Sequence, residues 1–235
     1  MKYLAFIWSE GLATPEELAV MRREIPGYAA EMERRGVRLL GRELQLPETA
    51  ATVRVRDGET LVSDGPFAET KEFVAGINLW ECADADEAVE VAAKCPVSWF
   101  KSMEIRPLAS EPPLGAEASA FARGEDGPAQ PYLLVTWTAA GERAMTDEGE
   151  DWRRDLRARG LHVLGSALGG AAEAATVRVR DGQTLLSREP ATGTGTYITG
   201  ADVVRCTDRR QAIELAAAHP AARDHVIEVR PFHTG

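Results

Sequence analysis

The chain has 235 residues, 44% of them hydrophobic and 27% charged, which is the balance of an ordinary globular protein with enough apolar material for a core. Its 37 acidic residues outnumber 27 basic ones for a net charge of −10, and no Lys/Arg run offsets this locally, so nucleic acid and anionic membrane surfaces are poor partners on electrostatic grounds. Cys82, Cys95 and Cys206 form no C-x-x-C pair and no metal-ligand spacing, and read as reduced structural thiols.

Lys2 to Trp8 reads as a strand, and Ser9-Glu10-Gly11 interrupts its apolar run well short of a signal or membrane span; the expected setting is the cytoplasm. Thr14-Pro15-Glu16-Glu17 is a helix start in which Thr14 caps, Pro15 takes the first helical position and Glu17 closes a capping box. Leu18, Met21, Ile25, Tyr28 and Met32 form one apolar face of that helix, Pro26-Gly27 is expected to kink it, and Gly36 to end it. A strand over residues 37–44 follows, then a hairpin from Thr52 to Ser63 that turns through Asp57-Gly58, a type I′ signal. Another strand covers Phe73 to Cys82, Asp84 caps a second helix with Glu87 three residues on, and Pro96 stops it. Met103 to Arg106 closes the unit as a strand, with Met103 and Ile105 expected to point in and Glu104 and Arg106 out.

The unit then repeats. Ala50 to Leu61 recurs as Ala174 to Leu185, with Glu59 against Gln183 as the single difference, and the register continues through Gly36/Gly160, Gly41/Gly165, Cys82/Cys206 and Pro96/Pro220 to Arg106-Pro107/Arg230-Pro231. Trp8 and Trp137 hold equivalent places, expected to pack in the core or between copies; the second copy is about five residues shorter across its first helix. The organisation expected is a first domain over 1–108, a Pro/Gly/Ala-rich linker over 109–130 and a second domain over 131–235. The order βα, strands with a hairpin, then αβ predicts an α+β fold: two tandem ferredoxin-like repeats (βαββαβ with an inserted β-hairpin) packing as an intrachain dimeric α+β barrel. The physical reason is that one such sheet leaves an apolar face its own two helices cannot cover.

The most specific segment is Asp64-Gly65-Pro66-Phe67-Ala68-Glu69-Thr70-Lys71-Glu72. Together with Ala88 to Pro96 and Glu104-Ile105-Arg106-Pro107, it resembles the DGPF subgroup of the YCII-related domain family. The resemblance implies a dimeric α+β barrel and a bacterial origin, and leaves the activity open. Members are often encoded beside extracytoplasmic-function sigma factors, some related barrels are small-molecule isomerases, decarboxylases or monooxygenases, and YCII-related proteins have been credited with a His/Asp pair in a cleft. The first copy departs from that pattern in having no histidine.

The loop has a structural and a functional reading. Structurally, Asp64 accepts backbone hydrogen bonds, Gly65 permits a positive φ, Pro66 fixes the next residue and Phe67 anchors the loop. Functionally, Asp64, Glu69 and Lys71 form a catalytic constellation in a cleft, one carboxylate as base and the ammonium on a developing oxyanion, with Gly65, Pro66, Phe67, Thr70 and Trp99 lining the ligand. In the second copy Arg188-Glu189-Pro190-Ala191 replaces the tetrapeptide, so one such site is expected rather than two. Trp99-Phe100 has Arg223-Asp224 as its counterpart and reads either as a pocket wall or as a core plug. His162, His219, His225 and His233 are scattered through the second copy and expected at surface or edge positions; neither a metal site nor a cofactor is expected. Two functions compete: a module binding a small molecule or a protein partner, a sigma factor by resemblance, and a cofactor-free acid/base enzyme acting on a small organic acid or lactone.

Overall fold

A computed structural model describes residues 1–67, 72–110, 114–139, 149–193 and 195–234. The first copy runs β1 (Lys2–Ser9), α1 (Pro15–Arg34), β2 (Arg38–Glu43), β3 (Ala51–Arg56), β4 (Glu59–Asp64), β5 (Phe73–Glu81), α2 (Ala85–Lys94) and β6 (Ser102–Pro107). After α3 (Ala116–Ala122) the second copy repeats the order with β7 (Gln130–Ala139), α4 (Glu150–Ala158), β8 (His162–Ala167), β9 (Ala175–Arg180), β10 (Gln183–Ser187), β11 (Thr196–Cys206), α5 (Arg209–Ala218) and β12 (Val226–Pro231). Local chemistry sets the boundaries as expected. The Thr14 hydroxyl accepts from Glu17 N while the Glu17 carboxylate accepts from Thr14 N, and Asp84 and Asp208 cap α2 and α5. Asp57-Gly58 and Asp181-Gly182 all have positive φ, as a type I′ turn requires. Pro26 lies within a continuous α1, so the helix runs through it.

The strands form two six-stranded antiparallel sheets, in the orders β10-β9-β6-β1-β5-β2 and β4-β3-β12-β7-β11-β8. The sheets are therefore not the two copies. Each hairpin leaves its own copy and extends the other's sheet: Val53 of β3 pairs with Ile227 of β12, and Val177 of β9 pairs with Met103 of β6. The inserted hairpins are exchanged rather than local, which makes each sheet four strands of one copy and two of the other.

The sheets meet face to face. Leu4, Phe6 and Trp8 of β1, Ile77 and Leu79 of β5, and Leu133, Val135 and Trp137 of β7 share one buried cluster, with Trp8 and Trp137 in T-shaped contact at 6.1 Å. On the outer face of the first sheet, Tyr3, Ala5, Trp80, Met103 and Ile105 pack under α1 and α2, and the second sheet does the same under α4 and α5. All six residues of β6 are buried, so the expectation that Glu104 and Arg106 point to solvent is corrected: the strand is covered on both faces, and these two point between the sheets. The segment between the copies is also more than a spacer. Phe121 of α3 is fully buried against Phe232, 5.0 Å away, and Arg42 lies over its ring at 4.6 Å while pairing bidentately with Asp126.

Candidate functional site

The Asp64 to Phe67 loop inherits its position from the hairpin exchange. Gly65 takes φ of 92°, its N–H donates to Ala50 O (3.1 Å) and its carbonyl accepts from Thr52 Oγ1 (2.9 Å), so the turn chemistry holds. Phe67 packs 6.0 Å from Trp137, and its N–H donates to Glu228 Oε2 at 3.1 Å, both partners belonging to the second copy. Asp64 faces outward, its side chain 86% exposed, and accepts from Arg209 Nη2 of α5 at 2.6 Å. Glu69, Thr70 and Lys71 lie outside the described residues. Trp99 is partly exposed and lines an open cleft with Val179, Arg180 and the Asp181-Gly182 turn of the second copy's hairpin.

Glu228 belongs to one of two matched ion pairs between the sheets. Arg230 Nη1 donates to Glu228 Oε1 (3.2 Å) and its Nη2 to Gln45 O (2.8 Å), while Trp137 Nε1 donates to Glu228 Oε2 (3.2 Å). In the other sheet Arg106 Nη1 donates to Glu104 Oε1 (3.1 Å) and to Ile198 O (2.7 Å), and Glu104 Oε2 accepts from Ala191 N (3.1 Å). Burial pushes the Glu104 carboxyl upward, opposed by Arg106 and the Ala191 N–H. Each pair reaches into the other copy's loop and locks the exchanged hairpin in register. Buried pairs of this kind specify geometry more than they add stability.

The strongest chemical asymmetry lies on the helix-facing side of the long strands. Asn78 of β5 and Asp202 of β11 occupy equivalent, buried, helix-facing positions, opposite Ala5 and Leu134. Each lies across a glycine of the neighbouring strand: a Cβ at Gly41 would collide with Asn78 Oδ1, and one at Gly165 with Asp202. In the second copy Asp202 is saturated. Arg153 Nε donates to its Oδ1 (2.7 Å) and Nη2 to its Oδ2 (3.2 Å), His162 Nε2 lies 2.9 Å from Oδ1, and His219 Nε2 lies 3.7 Å from Oδ2. Trp152 packs edge-on against His219 at 4.6 Å. Ala221 N–H donates to His219 Nδ1, so the neutral ring carries its proton on Nε2, which makes no hydrogen bond among the described residues.

The expectation of peripheral histidines is thus corrected for His162, His219 and His225, which are buried; His233 is exposed. They come from separate elements, and only tertiary structure gathers them. Among the described residues no group of His, Cys, Asp and Glu could hold a metal ion. Arg153, with His162 the main opponent of desolvation, holds the Asp202 carboxyl well below its usual range, while burial pulls His219 down to about 4. A histidine neutral in the fold and protonated near 6.5 when unfolded contributes stability that is complete above pH 6.5 and lost as pH falls toward 4. Asp202 contributes nothing to that window, because its stabilisation is lost only below the ordinary carboxylate range. Denaturant unfolding at pH 7 and pH 4.5 should show a loss of roughly 2 kcal/mol, much reduced in His219→Gln.

In the first copy the same place is open. In the repeat register Arg38 stands for His162, Cys95 for His219 and Ala29 for Arg153, the helices being aligned by the fully buried Met32 and Leu156. A cavity of about 90 Å³ opens there, lined by Ile25, Tyr28, Arg38, Asn78, Cys95 and Val97 among others. Burial pushes the Cys95 thiol up to about 11 and the Tyr28 phenol well above its ordinary value, so both are neutral donors at physiological pH. The signal in the sequence was an amide or carboxylate in the middle of an apolar strand, facing a glycine shared by both copies.

Fold and site define a pseudo-symmetric α+β barrel with one open and one self-filled polar pocket. Residues 1–109, the span of the first copy, match the YCII-related domain. An uncharacterised protein of Rhizobium meliloti (strain 1021) is 49% identical over 67 residues, 27% of this chain and 54% of the relative; the chain thus spans about half the length of the curated relative it matches. A crystal structure of a protein provisionally named chlorite dismutase aligns over 99% of this chain and 94% of its own, at 11% identity and a TM-score of 0.38.

Proposed function

We propose that the protein is a cytoplasmic accessory module that binds a small molecule in the first copy's pocket, the second copy being a degenerate YCII-related domain that completes the barrel. The observation that carries this reading is the internal comparison: one scaffold position, Asn78 or Asp202, faces a cavity in the first copy and its own Arg153, His162 and His219 in the second. The pocket supplies an amide, a guanidinium and a neutral thiol, the Tyr28 hydroxyl already donating to Val91 O, which suits recognition more than proton transfer. Any protein partner, such as the sigma factor that the family resemblance brings in, would then read ligand occupancy. Acid/base catalysis at the Asp64 loop has less support, since Asp64 faces solvent and is neutralised by Arg209.

A thermal-shift screen of small polar metabolites on the intact protein tests the reading. Hits should persist in Asp64→Asn and vanish in Ile25→Trp, which fills the pocket from α1. Hits lost in Asp64→Asn and kept in Ile25→Trp would return the site to the loop.

A further inference from the structure

We propose that the first-copy pocket selects short-chain monocarboxylates, the carboxylate held by Arg38 and Asn78 and the alkyl tail lying against Ile7, Ile25 and Val97. The inference rests on the pocket reading above and deepens it. Its basis is again the second copy, where a carboxylate, that of Asp202, is already built in and is met by a guanidinium and an imidazole at this level of the fold. The first copy keeps a cation, Arg38, but has a neutral amide in place of the carboxylate, so the anion that the second copy carries covalently is missing from the first.

The donors are placed for the task. Arg38 Nη1 pairs with Glu33, whereas Nη2 lies over Gly41 at the pocket wall, next to the Asn78 carboxamide oxygen. The Asn78 carboxamide brings an N–H₂ donor to the same wall as the guanidinium. Asn78 and Arg38 are both largely withdrawn from solvent, at 7% residue and 19% side-chain exposure, so a charge-assisted contact there is poorly screened. Arg42, though also at the pocket, is held by Asp126, Phe121 O and His233 O and leaves Arg38 as the binding cation.

Size and the far wall narrow the class. The recess, at about 90 Å³, is smaller than the roughly 150 Å³ that accommodates benzene, which suits a short alkyl tail. Glu43, an exposed acidic residue, also lines the pocket two residues along β2 from Gly41. A second negative charge on the ligand would meet it, so dicarboxylates are disfavoured. The neutral Cys95 thiol and the Tyr28 hydroxyl, which donates to Val91 O, add no opposing charge at the inner end.

Calorimetric titration of the intact protein with propionate, propionamide and malonate at equal ionic strength tests this. Propionate should bind about tenfold or more tightly than either of the others. Arg38→Met and Asn78→Asp should each lower propionate affinity about tenfold or more while leaving any propionamide binding unchanged, and Ile25→Trp should abolish both. The unchanged propionamide signal guards against a misfolded variant, and near-UV circular dichroism does so if propionamide binding is too weak to read. Equal binding of propionate and propionamide, both blocked by Ile25→Trp, overturns the carboxylate assignment while the pocket remains a ligand site. Propionate binding untouched by Ile25→Trp overturns both, and no heat with propionate overturns the carboxylate assignment.

Discussion

Arg153→Ala is expected to lower the unfolding free energy by about 3–5 kcal/mol, because it strips the buried Asp202 carboxylate of its bidentate partner and leaves a desolvated charge facing only histidines. The decisive companion is Arg153→Ala with Asp202→Asn. That pair reproduces the Ala29 and Asn78 of the first copy, removes both charges together, and should recover most of the lost stability. Urea unfolding of the three variants reads the effect directly. A double variant no more stable than Arg153→Ala would mean that the guanidinium acts through packing, not through the carboxylate.

The second large effect concerns separation of the copies. Residues 1–108 alone contain the hairpin β3–β4 but not β12, the strand it pairs with. They also contain β6, whose outer neighbour β9 belongs to the second copy, so an isolated first copy leaves one closing strand and one hairpin without partners. It should form a homodimer in which each hairpin crosses to the other chain and the Phe67 N–H meets the partner chain's equivalent of Glu228. Sedimentation equilibrium should give twice the monomer mass, with concentration-dependent melting. A stable monomer with a full cooperative transition would show that the hairpin can serve its own copy.

Much of the architecture was legible because it is written in local chemistry. The caps at Thr14, Asp84 and Asp208, the Asp-Gly turns and the repeated register each follow from a few adjacent residues. The exchange of hairpins was not legible for the same reason. Ala50–Leu61 and Ala174–Leu185 are nearly identical, as are Glu104-Ile105-Arg106-Pro107 and Glu228-Val229-Arg230-Pro231, so either hairpin matches either closing strand by sequence. Glu104 and Arg106 misled the alternation rule because both faces of β6 are covered, and a charge pair satisfied by the other copy's backbone can sit where an apolar residue is expected. The Asp64 loop drew attention by its composition, yet much of that composition serves the turn and the clasp onto the second copy's sheet. Asp202, Arg153, His162 and His219 come from β11, α4, β8 and the end of α5, too far apart in the chain for spacing to join them.

The central claim is that the two equivalent polar positions differ in occupancy, the first open to a ligand and the second filled by the protein. Titration of ¹⁵N-labelled protein with propionate, followed by backbone and side-chain amide shifts, tests it most directly. Saturable shifts centred on Gly41, the Asn78 side-chain amide and Cys95, with Gly165, Asp202 and His219 unmoved, are the predicted result. Shifts centred on the Asp202 cluster or on Asp64 and Gly65, with Asn78 silent, would contradict it.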